Sequence, residues 1–235
     1  MNQNMTLKTF KEQYENVVAW NLVARNGVHD FGADAIERQT EYTRSEIQET
    51  LDALAEQDSV EVLDGMADIF VTMAYKHFLI CGGVVNWGQV ESCIEFMEAD
   101  DGEYEQMVKE NQALIKDHLL DVTRLVMEEN QAEVFDNSSL CPMIDLINLV
   151  GYYYDVDSMD VVKHIMDSNW SKYSKVSTVD IDKEVAYISK KNQNFKDIVG
   201  TINADHDVVV FRSDNGAGKI LKPSTFWNAN CQVFL

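Results

Sequence analysis

Two consecutive segments of the chain each place acidic residues along one helical face and apolar residues along another. The first carries Glu46 and Glu49, and the second carries Glu61, Asp64 and Asp68. Residues three, four and seven positions apart share a face of an α-helix, so each segment presents a row of carboxylates. The apolar residues also fall at helical spacing: Ile47, Leu51 and Leu54, then Val62, Leu63, Met66, Phe70 and Met73. The pattern predicts two helices that pack through their apolar faces and bring their acidic edges together.

The chain of 235 residues is strongly acidic, with 40 Asp and Glu against 19 Lys and Arg and a formal net charge of −21. Nucleic acids and anionic membranes are held by clusters of Lys and Arg, so we expect neither as a partner. A nucleotide can still bind when divalent cations bridge its phosphates to carboxylates. Most of the acids are expected to form a solvated surface, and the two rows are the candidates for metal binding.

A site built from carboxylates alone, without His or Cys, suits a hard cation such as Mg²⁺ or Mn²⁺ rather than zinc or copper. Magnesium keeps several waters and shares its remaining ligands with phosphate oxygens. The implied reaction is hydrolysis of a phosphoanhydride bond, in which a carboxylate accepts a proton from water. A single pair of Glu residues three apart is common on helix surfaces, so the hypothesis depends on two rows on consecutive helices.

Helical periodicity continues to about residue 176 and only two prolines interrupt the chain, which predicts a mainly α, all-α helical bundle. Asp58 and Ser59 are expected to separate two helices and cap the second. The expected helices are residues 6–25, 39–56, 60–80, 87–98, 103–133, 141–154 and 158–173. Beyond residue 177, the β-branched run 207–211 and residues 220–221 predict a small β-hairpin in a partly irregular tail. The expected domains are 1–176, the helical domain, and 177–235, a C-terminal appendage.

A weak internal repeat relates the acidic hairpin to a later part of the chain. The segment from Thr43-Arg44 through MADIFVTMAYKHF resembles the segment from Thr123-Arg124 through MIDLINLVGYYYDV. In the later copy only Glu128, Glu129 and Asp145 lie near the acidic positions of the first. Residues 83–147 are therefore interpreted as an insertion or as a degenerate repeat. The alternative is chance similarity between two amphipathic helical hairpins.

A third segment, KHIMDSNWSKYSK, places an amide, a cation and an aromatic hydroxyl within one turn, in Asn169, Lys172 and Tyr173. Such groups can hold a phosphate or the sugar and base of a nucleotide. The competing interpretation is an ordinary helix end, where the helix dipole favours Lys in any protein.

Four cysteines occur, Cys81, Cys93, Cys141 and Cys231, with no Cys-x-x-Cys pair and no His at zinc-ligand spacing. We expect all four to be reduced thiols in apolar surroundings. The N-terminal MNQNMTLKTF has no apolar signal core, and no apolar run is long enough to cross a bilayer. These features predict a soluble, cytoplasmic protein, in the host cytoplasm if the chain is viral.

The segments SEIQETLDALAEQDSVEVLDGMADIFVTM, MDSNWSKY and GKILKP, in this order, resemble the all-α nucleoside triphosphate pyrophosphohydrolase superfamily. It includes MazG-like and phosphoribosyl-ATP pyrophosphohydrolase-like enzymes, often of phage type. The resemblance covers residues 14–82 and 148–226. It implies a Mg²⁺-dependent hydrolase, a homodimer or tetramer, that converts a (deoxy)nucleoside triphosphate to the monophosphate and pyrophosphate.

The resemblance assigns the metal to the two acidic rows. Glu46, Glu49 and Asp68 match best as ligands, followed by Asp64 and then Glu61. Either Glu46 or Glu49 also assists the attacking water. When the second motif is aligned on Asp68, the family's Glu falls on a glycine, Gly65, which is the main departure from the pattern.

The resemblance also assigns the nucleotide contacts. Asn169 and Lys172 match the family's nucleotide-contacting pattern, and Lys163 would have to serve for a basic residue that some relatives place before the Asn. Trp20 and Asn21 fall where relatives place base-contacting groups, although a core position is the other interpretation of Trp20.

Two alternative functions stay open at this point. The first is a non-catalytic nucleotide or alarmone binder, or an interaction protein, on the same scaffold, because Gly65 and the inserted segment depart from the family. The second is a phosphoribosyl-ATP pyrophosphohydrolase of histidine biosynthesis.

Overall fold

The computed structural model describes residues 5–98, 106, 108, 111–128, 140–213 and 219–235. It is mainly helical with a small antiparallel sheet near the C-terminus, which confirms the predicted fold class. The helices are α1 Leu7–Ala24, α2 Ala33–Glu56, α3 Ser59–Ile80, α4 Trp87–Glu98, α5 Ala113–Glu128, α6 Cys141–Tyr154, α7 Ser158–Trp170 and α8 Ile181–Lys191, and the strands are β1 Ser174–Lys175, β2 Ile198–Asn203 and β3 Val208–Ser213. Over these described ranges, no helix is both long and apolar enough to span a bilayer.

The chain divides into two compact units. The first comprises Met1–Val18, Asp30–Ile165 and Asn230–Leu235, and the second comprises Ala19–His29 and Met166–Ala229. The charge is divided unevenly, because the second unit holds ten of the 19 basic residues but only eight of the 40 acidic ones. The acidic excess of the protein therefore belongs entirely to the first unit.

Four helices of the first unit form a bundle of two hairpins. α2 packs along α3 and α5 along α6, while α2 also contacts α5 and α3 contacts α6. These hairpins are the two segments that the sequence relates as a weak repeat. Between α2 and α3 the chain turns at Gln57, whose φ is 60°, and the Asp58 carboxylate caps α3 by accepting from Val60 N at 3.1 Å and Glu61 N at 3.2 Å. The predicted break and cap are confirmed.

Gly65 marks the closest approach of α2 and α3. A Cβ atom at this position would lie 2.2 Å from Thr50 Oγ1 and 3.1 Å from Thr50 Cβ. Thr50 is buried, and its hydroxyl donates to the Glu46 carbonyl oxygen at 2.7 Å. The helices therefore meet here with almost no side chain between them, so the Glu expected from the family pattern has no room.

The second hairpin contains a half-buried ion pair. His118 of α5 bonds through Nε2 to the Asp145 carboxylate of α6. The hydrogen bond to Asp145 raises the pKa of His118, and the Leu114 carbonyl and the charge of Asp121 act in the same direction, while burial opposes them. In the repeat, Asp145 stands at the position of Asp68.

The second unit contains the sheet, in strand order β1-β3-β2 and antiparallel throughout. The predicted strand 207–211 is confirmed as β3, but its main partner is β2, from the Ile198–Ser213 pair to the Asn203–Val208 pair. Residues 220–221 contribute a single bridge, between Ile220 and Arg212. The Gly-containing stretch 214–218 lies outside the described residues.

The prediction of four reduced thiols is wrong for two of them. Cys93 of α4 and Cys141 of α6 form a disulfide across a separation of 48 residues, with Cα atoms 5.6 Å apart. Packing of α4 on α6 brings them together, and no local spacing rule detects such a pair. Cys81 and Cys231 keep their thiols in the reduced form.

We predict that Gly65→Ala lowers the free energy of unfolding by about 1–3 kcal/mol, since the new methyl group must push α2 and α3 apart. Chemical denaturation measures the change. Gly88→Ala is the matched control, because its Cβ would lie 3.5 Å from Asn86 Oδ1, an ordinary contact. Thr50→Ala in the Gly65→Ala background should recover part of the loss, and an unchanged stability of Gly65→Ala alone would contradict the close contact.

The His118–Asp145 pair predicts a pH-dependent contribution to stability. Because the folded pKa of His118 is raised above the ordinary value of 6.5, the contribution is complete below that value and is lost as the pH rises through the folded pKa. We expect His118→Gln to cost about 1 kcal/mol at pH 5.5, and less at pH 9. Denaturation at both pH values measures it, and Asp117→Asn, an exposed change on the same helix, should show no such trend.

Candidate metal and nucleotide sites

The acidic row of α3 occupies the only open stripe of a buried stretch of helix. Between positions 61 and 72, every residue is buried except Glu61, Asp64, Asp68 and Thr72. These four follow one another at intervals of three, four and four, so they form a single line along the helix. All the solvent-accessible acidic groups of this stretch therefore lie on one side of α3.

The acidic row of α2 lies close to the point where the two helices meet. Thr50 is in contact distance of Gly65, and Glu46 and Glu49 lie within one or two turns of Thr50. Glu46 is half-buried and Glu49 is exposed. Ser45 donates its hydroxyl to Glu49 Oε1 at 3.0 Å, which restricts that carboxylate to one side of its helix.

The carboxylates are arranged as rows rather than as a closed cage. In the part of the chain that the structure describes, no group of three or more His, Cys, Asp or Glu side chains is arranged to hold a metal ion. Like-charged carboxylates repel one another at coordinating distance unless a cation lies between them. The donor chemistry of the two rows fits Mg²⁺ or Mn²⁺. The ligand set of Glu46, Glu49, Glu61, Asp64 and Asp68 stays a prediction.

A buried thiol lies beside the acidic stripe of α3. Cys231 opens the 3₁₀ turn Cys231–Phe234, which packs on α3 within the first unit. Burial, followed by the charges of Asp64, Asp68 and Glu61, raises the pKa of the Cys231 thiol to about 12. Three carboxylates thus act on one sulfur atom, which places all three on the same side of the helix. The sequence contains no signal for this neighbour.

The 3₁₀ turn is held in place by short polar contacts. Asn230 N donates to His164 Nε2 at 3.2 Å, and Asn230 Oδ1 accepts from Gln232 N at 3.1 Å. The rings of His164 and Phe234 meet edge to face, with centroids 5.5 Å apart. The contacts of Asn230 and Phe234 therefore fix the backbone of the turn, and with it the position of Cys231.

In the second unit, three of the predicted nucleotide-contacting residues come together. Lys172 Nζ donates to Asn169 Oδ1 at 2.5 Å, and Trp20 Nε1 donates to the Asn169 carbonyl oxygen at 2.9 Å. The Trp20 ring stacks on Tyr173 at 5.6 Å, and the Tyr173 hydroxyl donates to the Trp20 carbonyl oxygen at 2.7 Å. Trp20 therefore has both a packing role and a place beside the Lys172 ammonium, which lies 5.6 Å from its ring centroid.

The other two predicted residues are not part of this group. Asn21 is buried and accepts from Arg25 Nη1 through its Oδ1 at 2.7 Å, so its side chain is engaged by the residue that follows α1. Lys163 is exposed and belongs to the first unit. Their roles in nucleotide binding stay predictions.

Two serines bring a further segment to the Lys172 group. Ser168 Oγ donates to the Trp227 carbonyl oxygen at 2.8 Å and accepts from Ala229 N at 3.2 Å, while Ser171 Oγ accepts from Trp227 N at 3.2 Å. These bonds place the Phe226 ring centroid 6.0 Å from Lys172 Nζ. The serines flank Asn169 in the sequence, but their spacing alone does not indicate the segment that they bind.

Comparison of the chain with protein-family models, curated proteins and solved structures finds no significant match. The family resemblance therefore rests on the motifs themselves.

The position of the acidic stripe predicts the reactivity of Cys231. In a Cys81→Ser background, we expect Cys231 to react slowly with a thiol reagent at pH 8, because its raised pKa keeps it protonated. Asp64→Asn should increase the rate by removing one nearby negative charge. Asp34→Asn, an exposed change in the first turn of α2, should leave the rate unchanged. Equal rates for Asp64→Asn and Asp34→Asn would place the stripe away from the thiol.

Proposed function

We propose that this protein is a Mg²⁺-dependent, or Mn²⁺-dependent, hydrolase that cleaves a (deoxy)nucleoside triphosphate to the monophosphate and pyrophosphate. The observation that carries the proposal is the acidic stripe of α3. The other residues of α3 between positions 61 and 72 are buried, and the one solvent-accessible line carries three carboxylates and Thr72. A divalent cation bound along this line would offset the repulsion among its like charges.

The roles of the first unit follow from the position of each carboxylate. Asp64 and Asp68, with Glu46 and Glu49, would hold the cation, and Glu61 at the start of α3 is the alternative ligand. When bound, the cation would offset the phosphate charge and lower the pKa of a coordinated water. Glu49, which is exposed and oriented by Ser45, or Glu46, accepts the proton of the attacking water.

The second unit, taken by itself, contains the predicted nucleotide contacts Asn169 and Lys172. Asn169 orients Lys172 through a direct hydrogen bond, and an ammonium group is a common ligand of phosphate oxygens. The second unit also holds more basic than acidic residues in an otherwise acidic protein. We propose that Asn169 and Lys172 bind the nucleotide, and that the protein forms a homo-oligomer, as the family resemblance implies.

The proposal predicts pyrophosphate and a nucleoside monophosphate as products when the protein is incubated with a panel of NTPs and dNTPs and Mg²⁺ or Mn²⁺. Glu49→Gln and Asp68→Asn should each lower kcat by at least about 100-fold. Glu12→Gln is the matched control, because Glu12 is exposed and pairs with Lys8 on α1. Chromatography of the products measures both. Release of inorganic phosphate with a diphosphate, or full activity in Glu49→Gln, would contradict the proposed reaction.

A non-catalytic nucleotide binder is the second candidate. It is favoured by one observation, the lack of a group of three metal-binding side chains within the described ranges. Saturable binding of a triphosphate without any turnover, in the presence of either metal, would establish the binder instead of the hydrolase.

A further inference from the structure

A second lysine joins the Lys172 group through an aromatic ring that both ammonium groups approach. Lys222 Nζ lies 4.5 Å from the Phe226 ring centroid, and Lys172 Nζ lies 6.0 Å from the same centroid. The two ammonium groups are therefore no more than 10.5 Å apart. Lys222 lies in the GKILKP segment, but neither Lys222 nor Phe226 is among the residues predicted to bind the nucleotide.

We propose that Lys172 and Lys222, positioned by Phe226, form a binding subsite for a phosphoanhydride anion, the diphosphate part of a nucleotide. The proposal relies on the proposed function for the identity of the nucleotide, but not for the binding of the anion. Two ammonium groups no more than 10.5 Å apart can contact different phosphate groups of one nucleotide. A monophosphate offers a single charged group and can engage fewer of these contacts.

The segment that carries Lys222 and Phe226 is fixed at both ends. On one side, Ser224 N donates to Glu184 Oε2 at 2.8 Å, and the Ser224 hydroxyl also bonds to the Glu184 carboxylate. On the other side, Ser168 and Ser171 bond to the backbone of Trp227 and Ala229. The position of Phe226 between them is therefore set by the fold before any ligand binds, which favours affinity by limiting the ordering that binding requires.

The local polar partners orient the ammonium groups. Lys172 donates to Asn169 Oδ1, and Lys222 Nζ lies 3.5 Å from Asn228 Oδ1. An amide oxygen carries no net charge, so these contacts direct the ammonium without opposing its attraction to an anion. The Phe226 ring adds a favourable interaction with each cation. Its removal should therefore loosen both lysines at once.

The test is equilibrium binding, by calorimetry, of three probes: a nucleoside triphosphate with a methylene group between its α- and β-phosphates, inorganic pyrophosphate, and the matching monophosphate. Lys222→Met should weaken binding of the triphosphate analogue and of pyrophosphate by about tenfold and affect the monophosphate less. Phe226→Leu, which keeps the apolar volume, should weaken the same two probes. Lys190→Met, an exposed change on α8, is the control and should bind all three like the unmodified protein.

The outcomes separate this proposal from the proposed hydrolase. Binding of the analogue that depends on Lys222 supports the subsite even if no triphosphate is hydrolysed. Hydrolysis with a KM that Lys222→Met leaves unchanged overturns the subsite and keeps the hydrolase. Equal affinity of Lys222→Met and Lys190→Met for the analogue, or binding of the monophosphate as tight as that of the analogue, also overturns the subsite. Pyrophosphate that binds as tightly as the analogue identifies the anion itself as the recognised group.

Discussion

The contact between Thr50 and Gly65 sets the geometry of the first unit. Two helices can approach this closely only where one residue has no side chain and the other is small. Thr50 also turns its hydroxyl back to its own helix, so it needs no partner on α3. This contact fixes the register of α2 against α3, and with it the level of the acidic rows. Helix packing thereby explains why position 65 is a glycine, where the family that the chain resembles has Glu.

Burial and charge act together along α3. The helix is surrounded by apolar neighbours, and its one open line between positions 61 and 72 carries Glu61, Asp64 and Asp68. The same three carboxylates raise the pKa of a thiol that the chain packs against the helix. A cation bound beside carboxylates on one helix face would offset their mutual repulsion. This argument, and not the spacing of acids alone, makes the stripe the strongest candidate site.

Local pattern was sufficient to predict much of the fold. The bounds of α4 and α6 agree with the sequence expectation, and the turn at Asp58 is where its capping side chain predicts it. The second unit was harder, because β2 and α8 are short, with 6 and 11 residues, and strand β3 finds its main partner earlier in the chain rather than later. The Cys93–Cys141 disulfide was missed for the same reason. Pairing over long separations depends on which helices pack, which periodicity does not record.

The candidate site shows the same division between local and distant information. Rows of acids on adjoining helices follow from spacing, as does the Asn169–Lys172 pair, because each involves neighbours on one or two helical turns. Cys231 and Phe226 reach their places only through the path of the C-terminal chain, so no motif indicates them. The GKILKP segment includes Lys222 but does not indicate which ring its ammonium group approaches. The metal-ligand set itself depends on side-chain directions that the sequence leaves open.

The two hairpins of the bundle differ in the surroundings of one equivalent acidic residue. In the second, the residue that corresponds to Asp68 is Asp145, and it is paired with His118 within the same hairpin. A carboxylate bound to a protonated imidazole contributes to stability. It is less available to a metal cation, because the imidazole and the metal would compete for the same oxygen atoms. The second hairpin therefore uses its counterpart of Asp68 in an ion pair within the protein, and the two acidic rows of the first hairpin remain the candidate for cation binding.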